Sequence, residues 1–174
     1  MSHLKQAGLA MSMFAADHND QFPMQTSVTN GGSMEFVGTG SPAPHFQTVS
    51  NYLGGSWGFL ICPGDKARAR TTNQAALSDR NISYFLSMDA KYGSPAVILA
   101  GDRNLEIAGQ SVRSGLFLLT TNTATSWTSE LHNQNKSAMG GNLLFADSHV
   151  EFSKRNLPAV IQRQNLATNR LAFP

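Results

Sequence analysis

The chain has 174 residues, of which 14% are charged, and a formal net charge of +2. That length suits one domain with a real core. The small charge, with basic residues scattered outside Lys66, Arg68 and Arg70, excludes a nucleic-acid role resting on a basic surface. The charged fraction is well below the roughly 25% of an average soluble protein. Together with abundant Asn, Ser and Thr and 15 glycines, it describes a polar, weakly charged surface that suits an extracytoplasmic or assembling protein. Cys62 is the one cysteine, so no internal disulfide can form. Followed by Pro63, it reads as a small buried residue at a strand end, and no base stands at a spacing that would mark it as a nucleophile.

In chain order, Leu4, Ala7, Met11 and Phe14 follow helical spacing and predict a helix from Leu4 to about Asp17 with one stripe facing a core. The polar cluster Asp17 to Asp20 and then Pro23 end it. Asp17, Asn19 and Gln21 have the spacing that starts a calcium loop, but Phe22 stands where that loop needs Gly, so a helix terminus is the better reading. Residues 26–58 are rich in Gly, Ser, Thr, Asn and Pro and predict loops with at most one short strand. Strands are expected at Phe59–Cys62, Asn81–Leu86, Pro95–Asp102 and Gly115–Thr120. A hairpin follows, with Leu143–Ala146 and His149–Phe152 joined by Asp147-Ser148 as a two-residue turn. Asn156 can cap a short helix with Pro158 in its first turn, and the tail Asn169–Pro174 is expected to pack back on the domain. A helix followed by strands predicts an α+β fold with long loops, in which the helix lies across an antiparallel sheet.

The stretch Gly140-Gly141-Asn142-Leu143-Leu144-Phe145-Ala146-Asp147-Ser148-His149-Val150, with His132 ahead of it, resembles the C-terminal motif of bacterial type IV pilin-like proteins, the pseudopilins of type II secretion. The run Leu4-Lys5-Gln6 leading to Phe14 and Pro23 is similar to the exposed half of the first helix of those proteins. Ile61-Cys62-Pro63-Gly64-Asp65, Ile82–Leu86 with Asp89, and Leu99–Asn104 resemble middle segments of the same branch. The resemblance implies a pilin-like fold with residues 1–22 as the exposed half of the helix and residues 23–174 as a pseudopilin domain, together one structural domain. It also implies an apolar half-helix of about 20 residues ahead of Leu4, spanning the membrane. No apolar run of that length and no secretory signal occurs in the chain, which is therefore read as the part following such a segment. Ser148 replaces the Gly of the family turn, where a positive φ is required. The stretch from His132 to Asp147 is longer than the common family spacing.

Several constellations bear on chemistry. His132, Asp147 and His149 are candidate metal ligands, since imidazole and carboxylate suit zinc, although Asp147 bonding turn amides with His149 packing or pairing at the sheet surface is the better reading. The resemblance implies a possible calcium site, for which Asp102, Asn104 and Glu106 form the acid-dense loop. Three alternating positives at Lys66, Arg68 and Arg70 read as a solvated loop. Trp57, Trp127 and Tyr52 are either core residues or surfaces for sugars and partner pockets. No Gly-x-Ser-x-Gly, phosphate-loop, His-Glu-x-x-His or Cys-x-x-Cys pattern is present.

The leading expectation is a non-enzymatic structural subunit of a type II secretion or type IV pilus-like filament. It would be anchored in the inner membrane of the bacterial envelope, with its globular domain outside the cytoplasm. Its partners would be other pseudopilin subunits and secretion-machinery proteins, with no nucleic acid and no required cofactor. Leu4, Ala7, Met11 and Phe14 would fix the domain to the assembly helix, and Gly141, Asn142, Phe145, Asp147 and His149 would form the hairpin motif. The alternative is an extracytoplasmic binding module for a polysaccharide or other surface ligand, with exposed tryptophans around residues 26–58. A metal-dependent hydrolase centred on His132 and His149 is the third reading.

Overall fold

A computed structural model describes residues 2–132, 139–154, 157–164 and 166–174. The elements are helices α1 (Ser2–Asp17), α2 (Ala43–Thr48) and α3 (Leu157–Arg163), and strands β1 (Tyr84–Ser87), β2 (Ile98–Asp102), β3 (Leu105–Ile107), β4 (Gln110–Ser111), β5 (Gly115–Thr120), β6 (Thr125–Trp127), β7 (Gly141–Phe145), β8 (Val150–Ser153) and β9 (Thr168–Phe173). The fold is mixed α+β. A six-stranded antiparallel sheet runs in the order β5-β9-β1-β2-β7-β8, and a three-stranded sheet in the order β4-β3-β6.

Helix α1 carries Leu4, Ala7, Met11 and Phe14 on one stripe, and all four are buried. The stripe lies over β2 and β7. At Gly8 a Cβ would come within 2.6 Å of Leu144 Cδ1, so any larger residue there forces the Leu144 side chain to shift. The helix stops where Asn19 and Asp20 adopt φ of 54° and 59°, and the Asp20 amide donates to the Ala15 carbonyl at 2.9 Å. Asn and Asp tolerate this left-handed termination better than other side chains.

Strand alternation splits the core between the two sheet faces. Leu86, Ala100, Leu144 and Ala172 face α1, together with Phe46, Val49 and Leu60 from the 3₁₀-rich segment that covers that side. Phe85, Leu143, Phe145, Leu171 and Phe173 face the other way, onto Leu105, Trp127, Leu157 and Ile161 of the small sheet and α3. Strands β1, β2 and β7 are buried along their whole length, as strands covered on both faces must be.

Two expectations are corrected and two are made more specific. Phe59–Cys62 is not a strand: Gly58–Leu60 forms a 3₁₀ turn, in which the Leu60 and Ile61 amides donate to the Trp57 and Gly58 carbonyls at 3.1 and 3.4 Å. Residues 26–58 hold 3₁₀ turns and α2, and no strand. The tail does more than pack back: β9 inserts between β5 and β1. The hairpin loop is longer than two residues. The Phe145 amide donates to the His149 carbonyl and the Ser148 amide to the Phe145 carbonyl, both at 2.9 Å, with Ser148 at φ 72°. Ala146, Asp147 and Ser148 thus form a loop closed by a left-handed residue, the position usually given to Gly. Ser148 keeps its side chain in return: its hydroxyl meets that of Ser12 on α1 at 2.5 Å. The expected cap Asn156 lies outside the described residues, and α3 begins at Leu157.

Candidate functional site

Segments far apart in sequence meet at one end of the six-stranded sheet. Antiparallel pairing sets Tyr84 of β1 opposite Asp102, the last residue of β2. Strand β7 pairs with the other side of β2, bringing Asn142 to the same place. The turn after Leu60 delivers Cys62, and His132 arrives from the loop after β6. Asp102 is fully buried, and its Oδ2 accepts three hydrogen bonds: from the Asn142 amide at 2.6 Å, from Asn142 Nδ2 at 2.8 Å and from His132 Nε2 at 2.8 Å. Asp102 Oδ1 is buried without a partner. Around His132 Nε2, Cys62 Sγ stands at 3.4 Å and Asn142 Nδ2 at 3.1 Å. His132 adopts φ 53°, a conformation that costs about 1–2 kcal/mol for a residue with a Cβ and that surrounding contacts must hold.

The electrostatics follow from these contacts. The hydrogen bond to Asp102, and then that to Cys62, hold the His132 imidazole protonated, its pKa pushed up to about 10. Burial, then the charge of Asp102, raises the Tyr84 hydroxyl above its ordinary value, so it stays a neutral phenol. Beside this cluster, Arg103 clamps Asp65 through Nε at 2.7 Å and Nη2 at 2.9 Å, and Glu130 through Nη1 at 2.9 Å. Burial alone would raise the Asp65 carboxyl, but the Arg103 bonds and charge hold it below the usual range. Asp65, Arg68, Arg103, Arg113 and Glu130 line an open cleft of about 470 Å³.

The arrangement does not reproduce a nucleophile relay. In such a relay the acid orients one ring nitrogen while the other takes the thiol proton. Here Asp102 and Cys62 both meet Nε2, and Cys62 is only 2% exposed. What the cluster does offer is a tight convergence of thiol, imidazole and carboxylate.

The expected site residues divide. Asp102 and His132 come together, with Asn142 of the hairpin motif bridging them. Asp147 and His149 do not join them. Asp147 Oδ1 accepts from the His149 amide at 3.1 Å and from Nδ1 at 2.6 Å in the exposed hairpin loop, and the His149 ring stacks on Phe145 at 4.2 Å. A joint site of His132, Asp147 and His149 is therefore excluded, and a hydrolase centred on His132 and His149 loses its basis. The three residues of the calcium loop are engaged separately. Asp102 turns to His132. Asn104 is buried with Nδ2 on the Thr128 and Gly140 carbonyls at 2.9 and 3.2 Å. Glu106 sits on β3 and accepts from Ser126 at 3.1 Å. The chain leaves the six-stranded sheet at Asp102 and enters the small sheet at Leu105, so the three side chains take different partners. Gly141 packs under Trp127, where a Cβ would lie 2.3 Å from the ring. Trp57 and Trp127 are both buried, so the exposed aromatic groove of a binding module is not formed by them, and the Tyr52 hydroxyl is spent on Asp17 at 2.7 Å.

Sequence reasoning missed Cys62 as a member of this cluster. The signal was present in the segments Ile61–Asp65, Leu99–Asn104, His132 and Gly141-Asn142, which were singled out separately and turn out to share one place. No family model, curated protein or solved structure matches the chain.

Proposed function

We propose that this chain is a pilin-like structural subunit of a type II secretion or type IV pilus-like filament in the bacterial envelope, acting by self-assembly and protein contacts rather than by catalysis. The observation that carries the reading is the two-sided use of α1. Its inner stripe, Leu4, Ala7, Met11 and Phe14, is consumed by the domain's own core, which makes the helix a rigid part of the domain. Its outer side leaves Leu9 at 58% and Met13 at 45% exposure. Leu9 borders a cleft of about 260 Å³ with Gln6, Tyr52, Leu53 and Phe59. Apolar side chains left on the outside of an otherwise anchored helix are what lateral packing between subunits requires. The order of helix and antiparallel sheet supports the same reading. The motif segments support it too: their polar residues form a clasp that ties four parts of the chain together, a structural task that needs no substrate. Among the described residues no helix is long and apolar enough to cross a membrane. The membrane attachment of this proposal rests on the resemblance of residues 4–23 to the exposed half of a pilin helix.

A photo-activatable residue placed at Leu9 in the native cells tests the reading. Cross-links to other copies of the chain or to envelope proteins are expected, and none from the same residue placed at Leu118 on β5. A chain that stays monomeric and uncross-linked at Leu9 would overturn it.

A further inference from the structure

We infer that Cys62, Asp102 and His132 form a binding site for one transition-metal dication of the zinc class. Among the described residues they are the one group of three His, Cys, Asp or Glu side chains whose donor atoms all lie within 4.8 Å of one another. The donor set is specific. A thiolate with an imidazole and a carboxylate suits zinc and its borderline-soft neighbours, whereas calcium and magnesium demand oxygens. The inference concerns a donor set different from the calcium and His132–His149 sets considered above, and it stands whether or not the chain assembles into filaments.

Two further observations point to an ion. First, His132 Nε2 is oversubscribed. It can carry one hydrogen, yet Asp102 Oδ2, Asn142 Nδ2 and Cys62 Sγ crowd it at 2.8, 3.1 and 3.4 Å. One N–H must be shared between the carboxylate and the sulfur, and it faces another donor in the Asn142 amide. A dication placed among these atoms bonds nitrogen, oxygen and sulfur at once. Tetrahedral zinc with bonds of about 2.0–2.3 Å sets its donors about 3.3–3.6 Å apart. The sulfur–nitrogen separation already fits, and the oxygen–nitrogen pair needs to open by about half an ångström. Second, Asp102 Oδ1 is buried with no partner, a costly state for a carboxylate oxygen that a nearby dication relieves.

The surroundings complete the site. Cys62 and Asp102 are buried, while the His132 side chain is 25% exposed, which leaves one side for ion entry and for a water as fourth ligand. Asn142 fixes the carboxylate from behind through its main-chain and side-chain N–H groups, the outer support that metal-binding carboxylates use. Gly64 keeps the approach clear, since a Cβ there would lie 3.8 Å from Cys62 Sγ and 4.0 Å from His132 Nδ1. Binding releases the thiol proton and the Nε2 proton, and the ring keeps its hydrogen on Nδ1.

The test uses the full chain without a histidine tag, stripped with chelator and titrated with Co²⁺. The expected result is a 1:1 endpoint, a thiolate-to-cobalt charge-transfer band in the near ultraviolet, tetrahedral bands in the visible, and loss of both on adding Zn²⁺. Cys62→Ser should lose the ultraviolet band, and His132→Gln should bind about tenfold more weakly or worse, with circular dichroism confirming that each variant is folded. Wild-type protein that is folded by circular dichroism but gives no cobalt spectrum overturns the inference, whatever the variants do. So does a near-ultraviolet band that persists in Cys62→Ser.

Discussion

His132 and His149 each hold an aspartate, yet the two pairs differ in kind. His149 meets Asp147 two residues away, in an exposed loop, at 2.6 Å. His132 meets Asp102 across thirty residues of chain at 2.8 Å, beside a buried cysteine and with Asn142 closing the other side. The local pair is cheap to form because little chain entropy is spent, and it is worth little because water screens it. The distant pair joins the ends of β2 and β7 to two loops, and burial makes each partner dependent on the other. Separation in sequence, not the identity of the residues, distinguishes a loop ornament from a structural clasp.

Breaking the clasp gives the largest expected effect. Asp102→Ala leaves the His132 imidazolium without its counter-charge and the Asn142 N–H groups without their acceptor. It should cost about 3–5 kcal/mol in chemical denaturation, and a loss below about 1 kcal/mol would show the network to be ornamental.

A third histidine sharpens the contrast. His45 is fully buried, with Ser33 on Nδ1 at 2.7 Å, no partner on Nε2 and no carboxylate. Burial therefore lowers its pKa to about 4, where His132 beside Asp102 goes up. A lowered folded-state value means that His45 keeps its full contribution above about pH 6.5 and loses it as pH falls toward about 4. The loss is at most about 3 kcal/mol. Denaturation midpoints of wild type and His45→Gln between pH 7 and pH 4 should converge on acidification, and parallel curves would refute the assignment.

The smallest effect belongs to the exposed pair. Asp147→Ala should change stability by less than about 1 kcal/mol, measured by thermal unfolding at neutral pH. A larger loss would place the hairpin loop on a par with the clasp.

The same distinction governs what the sequence disclosed. Helix α1 and its stripe were legible because Leu4, Ala7, Met11 and Phe14 repeat locally, and β5 because Gly115–Thr120 is a bounded apolar run. Phe59–Cys62 looked like a strand on the same criterion but has no partner to pair with, and pairing is a nonlocal property. β9 carried no strand signal strong enough to insert a tail between β5 and β1. Within the site, Asp102, His132 and Asn142 stood out individually. Cys62 did not, because only the fold brings the loop after Leu60 beside the end of β2. Ser148 at positive φ was legible as a departure, but not the reason it is tolerated, its hydroxyl contact with Ser12 on α1.

The central claim is that α1 serves an anchored, assembling subunit. The most direct test is the N-terminus, intact mass and cell fraction of the native protein from its own cells. The account predicts a membrane-fraction chain whose α1 is preceded by an apolar segment of about 20 residues. A native chain that begins at Met1 and remains in the soluble fraction would contradict it.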